Sequence, residues 1–359
     1  MKTHNFKLLL YFVSVWPFAL RSEGWQQQQP TNPTILFSQL LGRNQLNALM
    51  RRCTAHVTDS IESPPPSPTQ LIILIPAFNE AERIPSTLAC YRRELQTPTL
   101  AMLLVGPPKI LVIDDGSSDY TYEVVTKTFS NDDTIQCIRL PYNQGKGAAL
   151  AAGIDHISKV IQLQEQPHSD TQTLILTQDA DGSGDLRYLP QMILILWKLL
   201  RQYDTESSSG IDNKVQPTKS FPAAMVVGNR NYNFFTPRGV TRWGFQTVVK
   251  LLMNDLRVQD SQCGYKLLTL SAARSLYTDL HLRGWSHDVE VLHRAKLLAI
   301  PIAEVPIDWE DKEGSKVVAS GVAKVSMQML WDVIRLRWNY SFTQAWQLSA
   351  PTAEEIDFF

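Results

Sequence analysis

Five short apolar runs recur along this chain with helical stretches between them, and that alternation leaves few folds open to it. The runs are Leu71–Ile75, Ile110–Ile113, Ile135–Leu140, Leu174–Thr177 and Ala223–Val227. They are too short for independent helices, and most lack the polar alternation of a half-exposed strand, so they read as strands buried on both faces. Helical stretches lie around Ala81–Leu95, Ser118–Phe129 and Gly147–Val160. Strands alternating with helices predict an α/β fold: a Rossmann-like, mainly parallel sheet with helices on both faces and right-handed crossovers. In such a sheet ligands bind at the carboxyl ends of the strands. The unusual polar residues of this chain cluster at those ends.

The length of 359 residues suits one large domain with additions, and 44% hydrophobic with 19% charged residues is ordinary globular composition. A formal net charge of −1 supplies no overall basic field, so nucleic acid is not an expected partner. The four cysteines, Cys53, Cys90, Cys137 and Cys263, form no CxxC or Cys/His pair, which argues against structural zinc. Residues 1–25 form an N-terminal apolar segment, with Lys2 and Lys7 ahead of the run Leu8–Leu20. That pattern fits a membrane anchor or uncleaved signal-anchor, a cleaved signal, or a targeting peptide. Residues 26–70 carry four consecutive glutamines and the stretch Ser63-Pro64-Pro65-Pro66-Ser67-Pro68, the composition of an extended tether, with a short helix possible within 35–52. The globular domain is expected over 71–340 and a tail over 341–359. Polar inserts at Gln164–Thr173 and Tyr203–Lys219 interrupt the pattern, and there is no internal repeat.

The first strand ends in Pro76-Ala77-Phe78-Asn79-Glu80, where Asn79 and Glu80 either meet a ligand's base or ribose or cap a helix. The second ends in Asp114-Asp115-Gly116. Adjacent carboxylates at a strand end are costly unless something uses them, and a ribose or base edge is the usual user. Asn143-Gln144-Gly145-Lys146-Gly147 leads into a helix of small residues. Its glycines let the backbone approach a phosphate and Lys146 adds a cation, although a glycine turn without ligand has the same sequence. It lacks the P-loop spacing. Thr177-Gln178-Asp179-Ala180-Asp181-Gly182 places carboxylates at i and i+2 about a tight turn. Asp179 and Asp181 can give oxygens to one hard cation, Mg²⁺ or Mn²⁺, bridging a nucleotide's phosphates. Arg230 follows the fifth strand as a candidate phosphate-binding guanidinium. Further on, polar residues crowd around Asp260-Ser261-Gln262-Cys263-Gly264-Tyr265-Lys266, and Trp285-Ser286-His287-Asp288-Val289-Glu290 opens a helix with two acids where a second substrate can be held. From Val325 to Tyr340, apolar residues including Trp331 and Trp338 stand beside Arg335 and Arg337. A helix of this kind either lies in a membrane's headgroup region or packs on the sheet.

In this order, these blocks resemble the family 2 inverting glycosyltransferases of the GT-A fold, and within them the dolichyl-phosphate β-glucosyltransferases. The specific part is the run from Asp260 to Lys266, through Trp285–Glu290, to Glu310-Asp311-Lys312-Glu313-Gly314-Ser315-Lys316. The resemblance implies transfer of glucose from UDP-glucose to dolichyl phosphate, with inversion, at an endoplasmic-reticulum membrane with the domain facing the cytosol. The alternatives are another donor or acceptor, as in a dolichyl-phosphate mannosyltransferase, or a non-catalytic nucleotide-sugar-binding protein. It implies that Asp179 and Asp181 hold the metal, that Pro76, Asn79, Glu80, Asp114, Asp115, Lys146 and Asp179 contact the donor, and that Arg230 and Lys266 steer a phosphate. Asp260 and Gln262 then line the sugar and acceptor side, with Asp288 and Glu290 beside them in the catalytic set. The acceptor is already an anion and needs little activation by a general base, with Asp260 or Asp288 left as candidates to orient it. Gln178 before the metal turn, Asn229, and Ser286-His287 depart from the family's usual residues, and none of these removes a carboxylate.

Overall fold

The structure, a computed structural model, describes residues 67–164, 171–208, 222–230, 237–253, 258–309, 322–346 and 348, with side chains at all of these except 164, 203–208, 237–243, 322–324 and 326. The expected N-terminal segment, most of the tether, the 35–52 helix, the Glu310–Lys316 block, the centres of both inserts and most of the tail lie outside the described residues.

Seven strands form one sheet in the order β3-β2-β1-β4-β6-β5-β7. They are β1 (Thr69–Ala77), β2 (Lys109–Asp114), β3 (Ile135–Arg139), β4 (Gln172–Thr177), β5 (Met225–Arg230), β6 (Lys266–Thr269) and β7 (Ile302–Ile307). The helices are α1 (Ile84–Glu94), α2 (Pro98–Leu103), α3 (Thr121–Thr128), α4 (Lys146–Gln164), α5 (Leu189–Ser208), α6 (Pro237–Met253), α7 (Leu270–Tyr277), α8 (His287–Leu297) and α9 (Val322–Ser341). The pairs β1/β2, β1/β4, β2/β3 and β5/β7 are parallel, as the alternating pattern predicts. The exception is β6, which runs antiparallel to both β4 and β5. Neither β6 nor β7 is among the five runs read from the sequence. β1 begins at Thr69, inside the segment expected to be tether.

Both faces of the sheet are covered, which is why the apolar runs are unbroken. On β1, Leu71, Ile73, Ile75 and Ala77 face one core layer, with α1 and α5, and Leu74 faces the other, with α4, α7 and α8. β4 repeats this, with Leu174 and Leu176 on one side and Ile175 on the other. All these side chains are at most 2% exposed, and each leucine or isoleucine is worth about 1.5–3 kcal/mol as buried apolar surface.

The register decides where the chemistry collects. β3, β2, β1 and β4 end at one edge, and β5 and β7 end there too. β6 runs the other way, so its first residue Lys266, opposite Thr177 of β4 and Val227 of β5, lies at that same edge. The segment Asp260–Tyr265 therefore leads into the edge that every other motif leaves.

Candidate active site

The loops after β1 and β2 hold each other. Asn79 takes a left-handed conformation, φ 53°, which a short polar side chain tolerates. Its amide donates to Ser117 Oγ at 2.9 Å and its Oδ1 accepts from the Ser118 amide at 2.9 Å. The Glu80 amide donates to Thr121 Oγ1 at 2.9 Å, and Glu80 grips Arg83 through both carboxylate oxygens at 2.6 and 2.7 Å. Pro76 ends β1 beside these loops. Asp114 is fully buried, accepts from the Ser117 amide at 3.0 Å and has Arg139 Nε 3.3 Å from its Oδ2.

Asp115 reaches the next motif. Its two oxygens accept from the Gln144 and Gly145 amides, both at 2.8 Å, while burial pushes its carboxyl up. The glycine turn is thus bound by protein groups. Gly145 sits at φ 97°, and a Cβ there would meet the Arg283 carbonyl oxygen at 2.6 Å. That same carbonyl accepts from the amides of Gly147 and Ala148, at 2.8 and 3.2 Å. The α4 N-terminus, expected to cradle a phosphate, has these two amides occupied by the chain itself.

Lys146 instead extends to the acidic turn. Its Nζ lies 2.5 Å from Asp179 Oδ1 and 5.7 Å from the centre of the Trp285 ring. Burial alone would lower its pKa, but Asp179, Asp288 and Asp181 outweigh that and push it up. Asp181 Oδ1 accepts from the amide and hydroxyl of Ser183 at 3.0 and 2.6 Å. The turn is fixed from below by Gln178, which donates to the Gly184 carbonyl at 3.0 Å. Across from it, Thr177 Oγ1 donates to the Gly264 carbonyl at 2.6 Å. A Cβ at Gly264 would meet Lys146 Nζ at 2.9 Å and both Asp179 oxygens at 3.2 Å, so a larger residue there would push this ion pair aside.

The remaining expected site residues are engaged by the protein. Arg230 and Asp260 form a buried two-pronged pair, Nε–Oδ2 2.5 Å and Nη2–Oδ1 2.8 Å. Asp260 Oδ1 also accepts from the Gln262 amide at 3.2 Å and from Gln246 at 3.3 Å. Arg230 was expected to bind phosphate and Asp260 to line the sugar side; here each is the other's counter-ion. Lys266, wholly buried, donates to the Cys263 carbonyl and to Asp288 Oδ1. Burial raises the Asp288 carboxyl, but His287, Lys266 and Lys146 outweigh it and hold it at about 2. Glu290 is also wholly buried and accepts from the amides of His281 and Leu282, from Arg294 Nε at 3.2 Å and from the Tyr340 hydroxyl at 3.0 Å. It ties α8 to α9. Gln262 is partly exposed and places its amide nitrogen 3.9 Å from Met329 Sδ.

Asp179, Asp181, Lys146, Trp285 and Gly264 thus form the compact group at the sheet edge. Arg139 beside Asp114, and Arg283 and Thr177 around the Lys146 and Gly264 segments, are absent from the sequence-based candidates. Trp285, already part of the Trp285–Glu290 block in the sequence, is 42% exposed beside the Lys146 cation.

The Glycosyl transferase family 2 model matches residues 72–205. Among relatives, a dolichyl-phosphate beta-glucosyltransferase of Dictyostelium discoideum is 30% identical over 272 residues, covering 75% of this chain and 74% of its own. One of Homo sapiens is 30% identical over 299 residues, covering 79% of each chain. Among solved structures, glucosyl-3-phosphoglycerate synthase of Mycobacterium tuberculosis, at 15% identity, aligns over 74% of this chain and 79% of its own with a TM-score of 0.48, a loose likeness.

Proposed function

The chain belongs to glycosyl transferase family 2, among its dolichyl-phosphate beta-glucosyltransferases, and on that premise we propose that it transfers glucose from UDP-glucose to dolichyl phosphate with inversion. The observation that supports this best is the Asp179-Ala180-Asp181 turn at the carboxyl end of β4, beside the loops of β1 and β2 and under the Lys146 ammonium.

Asp179 and Asp181 fit a hard divalent cation, Mg²⁺ or Mn²⁺. Among the described residues no group of three His, Cys, Asp or Glu side chains is placed to hold a metal ion, and this turn supplies two carboxylates. That is the usual arrangement where phosphates and water complete the coordination shell. When bound, the cation offsets negative charge on the departing diphosphate. Lys146 adds a second positive charge at the same place, and the joined loops carrying Pro76, Asn79, Glu80, Asp114 and Asp115 shape the nucleotide side.

An oxygen of the acceptor phosphate bonds to the anomeric carbon as the bond from that carbon to UDP breaks on the opposite face. No proton has to leave the acceptor. Asp260, Asp288 and Glu290 each already serve protein donors, which suits a reaction that asks for positioning and charge stabilisation rather than a base. Their part in this reading is to hold the loops in place.

The acceptor is a lipid, and α9 offers a surface for one. Met327, Trp331 and Trp338 are 55%, 63% and 58% exposed and fall on one face at helical spacing, flanked by Arg335 and Arg337. This is the composition of a helix seated in a headgroup layer, here the cytosolic face of the endoplasmic reticulum. Among the described residues no helix is long and apolar enough to cross a membrane.

The test is an assay of the full chain in detergent with labelled UDP-glucose and dolichyl phosphate. Labelled glucosyl lipid is expected, lost with EDTA, restored by Mn²⁺ or Mg²⁺, and reduced at least about 100-fold in D181A. Glucosyl transfer to no lipid phosphate, or equal transfer from GDP-mannose, would overturn it.

A further inference from the structure

A groove of about 380 Å³ opens between the loop before α8 and the exposed side of α9. Arg283 and Trp285 line it from the loop, and Met329, Asp332 and Arg335 from the helix. Its size lies within the range of small-molecule sites.

Three observations describe what it can hold. First, it contains two guanidiniums, Arg283 and Arg335, and neither has a carboxylate partner among the described residues. The groove's own acid, Asp332, is occupied, accepting from Ser286 Oγ at 2.8 Å and from Gln328 Nε2 at 2.9 Å. Second, the rest of the lining includes apolar Leu282, Trp285, Val325 and Met329. An anion with an apolar chain matches both halves. Third, the groove spans two places already described. The Trp285 ring lies 5.7 Å from Lys146 Nζ, which sits on Asp179, and Met329 touches Gln262. On its other side, α9 carries the exposed tryptophans.

We infer that this groove seats the acceptor, an isoprenoid phosphate. Arg283 and Arg335 hold the phosphate monoester beside Trp285, and the first part of the chain lies along Met329 and Val325. The volume accommodates a phosphate and the head of an isoprenoid chain but not its whole length, so the remainder leaves along α9 toward the bilayer. This rests on the lipid-phosphate reading above and adds the residues that select the acceptor. Arg335 is already oriented, its Cζ 5.1 Å from the centre of the Trp346 ring.

The experiment uses the full-length protein in neutral detergent, with R283Q, R335Q and their lysine counterparts. The expected result is a rise of about tenfold or more in KM for dolichyl phosphate in each glutamine variant, the loss of one charge-assisted contact. Binding of UDP with Mn²⁺ and the melting temperature should stay at wild-type values, with partial recovery in R283K and R335K. Farnesyl phosphate should bind the wild type and compete with dolichyl phosphate, whereas farnesol and inorganic phosphate should not. An unchanged acceptor KM in both glutamine variants overturns the inference. So does a defect seen only as weaker sedimentation with phosphatidylserine vesicles, since the arginines would then serve the bilayer surface. If the wild type makes no glucosyl lipid, the reaction reading fails by itself. Loss of farnesyl phosphate binding in R283Q and R335Q would then still support the groove, and retention would refute it.

Discussion

Replacing Asp260 with asparagine separates a chemical role from a structural one. Asp260 is 1% exposed and its two oxygens face Nε and Nη2 of Arg230, itself 9% exposed, so the substitution keeps the shape and removes the charge. Arg230 cannot discharge itself. Burial lowers its pKa, but the pairing with Asp260 raises it well above the ordinary value. D260N therefore leaves a buried guanidinium with a neutral partner. Breaking such a pair costs about 3–5 kcal/mol, against a total stability of about 5–15 kcal/mol. For a domain of this size that is a fall of about 10 °C in melting temperature. R230M/D260L, which removes both charges, should lie closer to wild type than either single change. Calorimetry or a denaturant series on wild type, D260N, R230M, D260L and R230M/D260L measures this. The reasoning fails if D260N melts within about two degrees of wild type, or if the double variant is the least stable of the set.

Three further outcomes follow from the same contacts. E290Q replaces a carboxylate that accepts from two amides, Arg294 and Tyr340 with a group that must also donate; urea unfolding should show a loss of about 3 kcal/mol. Burial lowers the His293 pKa to about 4, and neither ring nitrogen has a hydrogen-bond partner among the described residues. The unfolded chain then binds the extra proton first, so this residue's contribution to stability falls as pH drops from about 6.5 to about 4 and levels off below; H293F should flatten that part of the stability curve. K146M removes the cation resting on Asp179, so free Mn²⁺, followed by electron paramagnetic resonance without nucleotide, should bind several-fold more tightly than to wild type. Equal binding would mean that the ion pair does not compete with the metal.

The strands were legible where buried apolar runs made them so. β1, β2 and β4 hold bare aliphatic stretches, and their ends carried the acidic motifs. β6 escaped because four residues following a polar loop carry no period, and β7 because Glu304 and Pro306 interrupt its apolar pattern. The site was legible as a set of residue types but not as a set of partners. Asp115 meets Gln144 29 positions away, Arg230 meets Asp260 30 away, and Lys266 meets Asp288 22 away. Nothing local in the sequence says that Asp179 faces Lys146 while Asp260 faces Arg230. The glycine turn had the composition of a phosphate cradle because a close carbonyl, here that of Arg283, makes the same demand for an absent side chain.

The backward strand has a consequence for assembly. In the described sheet the β3-β2-β1-β4 group meets the β5-β7 pair through β6, four residues long and about 90 positions downstream of its β4 partners. β6 follows its β4 partners along the chain, so during synthesis this seam cannot pair until the intervening residues have been made. During synthesis the acidic turn after β4 is exposed long before Gly264 exists to close against it. The candidate centre therefore completes only when the seam of the sheet zips, and a variant that slows the docking of β6 should delay recovery of function in refolding more than it delays helix formation.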